Sequence, residues 1–125
     1  MKNIAAMAAV LGLLSITVPS ASVLAAGQQD FSLLNKTGYE IKEVYVSSSA
    51  SNNWEEDVLG RDVLKDGKIV NISFHSAAKG CKWDLKVVYS DDNSSAVWRG
   101  FDLCKITKVT IRYNRKTDTT SAVTE

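Results

Sequence analysis

Nine consecutive residues, Cys81-Lys82-Trp83-Asp84-Leu85-Lys86-Val87-Val88-Tyr89, constrain this chain more than any other stretch. Trp83, Leu85, Val87 and Tyr89 alternate with Lys82, Asp84, Lys86 and Val88, the period-two pattern of a strand with one buried face. The stretch opens on one of only two cysteines, and the other is Cys104. In an oxidising compartment two cysteines pair most simply as one disulfide, worth about 3 kcal/mol on the chain-entropy model. Two free buried thiols are the alternative. A cysteine metal site is short of ligands, because structural zinc takes four and only His75 could join the pair.

The N-terminus bears on the compartment. Lys2 is followed by the uncharged apolar run Ile4–Val18, by Pro19, and by Val23-Leu24-Ala25 with small or apolar residues at the −3 and −1 positions. Residues 1–25 therefore read as a secretory signal peptide of the general export type, since no arginine pair precedes the run. The run is too short for a membrane span, and no cysteine follows the cleavage region to carry lipid. No membrane anchor is expected after cleavage, and the protein is expected in the periplasm or outside the cell. What remains of the 125 residues is about 100. This is one domain, small enough for a covalent staple to matter.

Lys2 is the only charge in the leader, so the domain holds 14 basic residues against 14 acidic ones. A balanced domain is a poor nucleic-acid binder, whose affinity rests on phosphate neutralisation. No nucleic-acid partner is expected.

Further strands are predicted at Phe31–Leu34, Tyr39–Ser47, Ile69–His75, Ala96–Gly100 and from Cys104 through Tyr113. The Tyr39–Ser47 strand alternates imperfectly, which points to a bulge or to two partly covered faces. Asn35–Gly38 reads as a turn, Ser47–Asn53 as a mobile polar loop, and Asp66-Gly67 as a tight turn. Trp54–Leu59 is the one helical candidate, with Asn52 or Asn53 as cap, acids in the first turn and Gly60 as terminator. The expected fold is an antiparallel β-sandwich of six or seven strands with one short helix and one disulfide. The sandwich spans 26–116, and a polar tail over 117–125 reads as a sheet edge.

Several pieces occur together: Asn35-x-Thr37-Gly38, Val44-Tyr45-Val46-Ser47, Trp54-Glu55-x-Asp57-x-Leu59-Gly60, Cys81-x-Trp83-Asp84, Leu103-Cys104 and Tyr113-x-Arg115. In this order they resemble a family of small exported proteobacterial β-domain proteins of unknown function, some of which carry the label argininosuccinate lyase. The resemblance spans nearly the whole mature chain and implies a compact secreted β-domain with one disulfide. It does not imply the lyase, which is a large, mostly helical tetramer with active sites assembled from several subunits.

No catalytic constellation is visible. His75 is the only histidine, it falls on an outward strand position, and no nucleophile elbow accompanies it. Two acidic clusters, Glu55-Glu56-Asp57 and Asp91-Asp92, could offer oxygens to calcium, although neither follows calcium-loop spacing. Exposed aromatics stack ligands, and Trp54, beside the serine loop, and Trp98 with Arg99, on an expected edge, are the candidate binding residues. The expected function is a non-enzymatic binding domain for a protein, small-molecule or glycan partner, with no cofactor. A calcium-stabilised structural module is the alternative, and a small hydrolase is third.

Overall fold

The computed structural model describes residues 28–75 and 78–125, and the expected signal peptide lies outside them. Seven strands form: β1 (Phe31–Lys36), β2 (Ile41–Ser48), β3 (Ile69–Ile72), β4 (Lys82–Tyr89), β5 (Ser95–Asp102), β6 (Lys108–Asn114) and β7 (Thr119–Thr124). They make a three-stranded sheet in the order β2-β4-β5 and a four-stranded sheet in the order β3-β1-β6-β7. β4 is the middle strand of the smaller sheet and β1 lies inside the larger one. Inward side chains of both sheets, Leu33, Val109 and Ile111 from one and Val44, Leu85 and Val87 from the other, share a single core.

The sheets are not wholly antiparallel. β1 runs antiparallel to β3 but parallel to β6, with Leu33 opposite Val109 and Asn35 opposite Ile111. Alternation reports which face of a strand is buried, not its direction, so the sequence pattern is silent on this point. The irregular second strand does hold a bulge, a register shift at Lys42 between Ile41 and Glu43. The C-terminal segment pairs with β6 along six residues as edge strand β7.

The helix expected over Trp54–Leu59 does not form. Asp57 Oδ1 instead accepts hydrogen bonds from the backbone N–H of Val44 at 2.8 Å and of Leu59 at 3.0 Å. Val58 N–H donates to the Val44 carbonyl at 2.8 Å. Under two turns of helix is marginal in water, and these bonds reward an extended segment laid along the free edge of β2. Leu59 is thereby buried in the core. A further bridge pairs Ile41 with Leu64 on the same edge.

Asn35 explains why Asn-x-Thr-Gly is a unit. Its side chain takes an inward position of β1 and is fully buried. The amide donates to the carbonyls of Tyr39 (2.8 Å) and Leu64 (2.9 Å), and its oxygen accepts from the N–H (3.0 Å) and hydroxyl (2.7 Å) of Thr37. Both N–H groups and both lone pairs are thus satisfied. Gly38 (φ +88°) closes the turn, where a side chain would strain the backbone.

Cys81 and Cys104 form a disulfide with a Cα–Cα distance of 5.2 Å, tying the entry to β4 to the exit of β5. Such a bond is characteristic of an oxidising, non-cytoplasmic environment. Among the described residues no helix is long and apolar enough to cross a membrane.

Candidate functional site

β4 and β5 pair regularly except at one place. Trp83 faces Phe101 and Leu85 faces Trp98, so Asp84 alone opposes two residues, Arg99 and Gly100. This is a β-bulge on β5, and Gly100 (φ +76°) supplies the left-handed backbone it needs. The Gly100 N–H, turned out of the ladder, donates to Asp84 Oδ1 at 2.9 Å. The same oxygen accepts from the Ser49 hydroxyl at 2.6 Å, while Asp84 Oδ2 takes the Arg99 guanidinium at 2.9 Å.

Asp84 is 4% exposed, although its phase in the sequence places it outward. The bulge and the serine loop fold over it. Burial pushes its carboxyl pKa up, but the hydrogen bonds from Ser49, Gly100 and Arg99, with the guanidinium charge, outweigh burial and hold it below its ordinary value. An ionised, nearly buried carboxylate is therefore the anchor of the site.

Its partner faces the opposite way. The Arg99 side chain is 70% exposed, so the bulge presents a guanidinium to solvent while one end is held from below. The Ser47–Asn53 segment, expected to be mobile, is laced in place. Ser47 Oγ donates to the Asn53 carbonyl at 2.8 Å, Ser51 Oγ accepts from Asn53 N–H at 3.1 Å, and Ser49 N–H donates to the Lys82 carbonyl at 3.0 Å. These bonds deliver half-buried Trp54 beside Arg99. Trp54, Asn52, Asn53, Asp84 and Arg99 line one groove of about 140 Å³. A water occupies about 30 Å³ of liquid, so the groove admits a carboxylate or one edge of a sugar, not a whole drug-sized ligand.

Two of the three expected binding residues, Trp54 and Arg99, thus meet. Trp98 does not join them. One residue along β5 its side chain points the other way, packs against the core, and has its indole N–H buried. The exposure expected of Trp98 is corrected by strand alternation itself: Val97 and Arg99 are the outward residues.

The acidic candidates are scattered. Glu55 and Glu56 are exposed, Asp57 is engaged with the edge of β2, and Asp91 and Asp92 lie beyond the far end of β4. Asp92 Oδ1 accepts from the N–H and hydroxyl of Ser94, a turn-forming role. Among the described residues, three metal-type ligand atoms gather only at Cys81, Asp102 and Cys104, whose sulfurs are joined to each other. His75 lies past the end of β3 and does not line the groove.

Sequence reasoning missed Asp84 and Gly100. A glycine inside a strand is a bulge signal, and Arg99-Gly100 carried it. The chain matches no protein-family model, no curated protein and no solved structure.

Proposed function

We propose that this protein is a non-enzymatic, exported β-sandwich domain, of the small proteobacterial kind its motifs resemble, that binds a partner through the Trp54–Arg99 groove. The observation that carries this reading is the bulge at Arg99-Gly100, which holds an exposed guanidinium over a buried, ionised Asp84. A bulge re-aims a side chain at some cost in ladder hydrogen bonds, and here the re-aimed side chain stands beside an aromatic ring. Guanidinium and indole together suit a ligand that offers a carboxylate next to a flat apolar face, as acidic sugars and peptide C-termini do. The disulfide and the apolar leader support export.

The test is capture of partners from the protein's own periplasm or medium by wild type, Trp54→Ala and Arg99→Ala. A partner retained by wild type and lost by both variants, each still folded by circular dichroism, is the expected outcome. Identical captures by all three would sink the reading. A melting temperature unchanged by calcium or by chelator is also expected, and a calcium-dependent rise would favour the structural-module alternative instead.

A further inference from the structure

At the end of the molecule opposite the groove, three connections meet: the β1–β2 turn, the β4–β5 hairpin and the β6–β7 hairpin. They enclose a second, larger cavity of about 420 Å³. Tyr39, Tyr89 and Tyr113 form its aromatic wall. The Tyr39 ring stands edge-on to Tyr89 at 6.2 Å and to Tyr113 at 5.8 Å, with interplanar angles of 74° and 64°. Asp91, Asp92 and Asp118 also line the cavity, and among the described residues no basic one does. The salt bridges of the described residues, Lys82–Asp102 and Arg99–Asp84, involve none of these three acids.

One contact points to what such a cavity takes. The Arg115 guanidinium already lies over the Tyr39 ring, 5.7 Å from its centroid, so one face of the cluster holds a cation supplied by the chain itself. The Tyr89 ring lines the cavity, while its hydroxyl is buried away from it, near the Thr37 hydroxyl. Burial pushes that phenol's pKa up, opposed by the nearby Thr37 hydroxyl.

Size separates the ligand classes. Calcium needs six to eight oxygens at about 2.3–2.6 Å, and the carboxylates here do not converge on a common point. A cavity of 420 Å³ falls in the range of small-molecule sites, about 300–1,000 Å³. Tyrosine faces carry negative quadrupole density, attractive to an ammonium and its polarised CH₂ groups.

We infer that the cavity bounded by Tyr39, Tyr89, Tyr113, Asp91, Asp92 and Asp118 binds an organic ammonium group, from a small aliphatic diamine or from a lysine side chain of a peptide. The rings cover the methylenes and the carboxylates face the nitrogen. Arg115 is then a competitor for the Tyr39 face and not a ligand-holding residue. This site is separate from the Trp54–Arg99 groove and stands or falls without it.

The experiment is a titration of the ¹⁵N-labelled, oxidised protein followed by amide shifts. The probes are putrescine, the peptide Gly-Lys-Gly, 1,4-butanediol as a neutral counterpart of the diamine, and calcium chloride. Saturable shifts at residues 89–96 and 113–120 are expected with at least one amine and not with the diol; the amine that saturates at lower concentration identifies the source. Asp91→Asn combined with Asp118→Asn, both at exposed positions, should weaken that binding at least tenfold without changing the fold. Arg115→Ala should leave the affinity equal or raise it. The proposal is overturned by no saturable shift with either amine, by equal shifts with the diol, by a response to calcium alone, by amine shifts confined to 47–54 and 99, or by loss of binding in Arg115→Ala.

Discussion

Two buried polar side chains, Asn35 and Asp84, organise opposite ends of this molecule, and they are satisfied in different ways. Asn35 is closed within the chain: its partners are two backbone carbonyls and both donors of Thr37. Asp84 accepts from one hydroxyl, one backbone N–H and a guanidinium whose side chain is 70% exposed. The first arrangement does nothing but hold β1, its turn and Leu64 together. The second also holds a charge up to solvent. On the proposed reading, that exposed cation is what the groove offers a partner.

The contrast can be broken at the Asn35 end first. Asn35→Ala removes four hydrogen bonds; the Leu64 carbonyl keeps the Ile41 N–H and the Thr37 hydroxyl keeps the Tyr39 carbonyl, but the Thr37 N–H is left unpaired beside a new void in the core. The change should cost about 3 kcal/mol, read as the shift in the urea midpoint. A loss under 1 kcal/mol would show that water replaces the amide and that the hub is not closed. Asp84→Ala should cost less, about 2 kcal/mol, because Ser49 and Arg99 can turn to water and only the Gly100 N–H is left without a partner.

The acid limb sharpens the comparison. The folded pKa of Asp84 is lowered, so its contribution is fully present above the ordinary carboxylate pKa and is lost as pH falls through the folded value. The stability gap between wild type and Asp84→Asn should therefore narrow as pH is taken from 7 into the acid range. The gap between wild type and Asn35→Ala should not follow this course. Parallel curves for the two variants would remove the electrostatic distinction drawn here.

Arg99→Ala is the smallest expected effect on stability, below about 1 kcal/mol, because a guanidinium this exposed is screened by water. Its effect on partner capture should be the largest. A variant that melts several degrees lower while capturing normally would reverse the assignment and make Arg99 a structural residue.

The sequence was most informative where one face of a strand alternates cleanly. Leu85 and Val87 are buried as their phase requires, and the disturbed pattern around Lys42 does mark a bulge. Glu55-Glu56-Asp57 misled because acids near a cap are equally the signature of a helix start and of a carboxylate that caps a neighbouring edge; the tertiary partner, Val44, lies 13 positions earlier. Asp84 was hidden for a related reason. Its phase says outward, and only the extra residue on β5, together with a loop that begins after β2, encloses it. The convergence of Tyr39, Tyr89 and Tyr113 depends on strand order, which no local pattern contains.

The parallel pairing of β1 with β6 has a consequence in time. Whether the chain leaves a ribosome or is threaded across a membrane, β1 (Phe31–Lys36) emerges well before its long partner β6 (Lys108–Asn114). Such a contact must close a loop of most of the domain, which slows folding relative to local hairpins. The β4–β5 hairpin, with its two cysteines within reach, can zip and oxidise beforehand. Until β6 arrives, β1 can pair only with short β3, so the larger sheet is completed last, around a half already stapled.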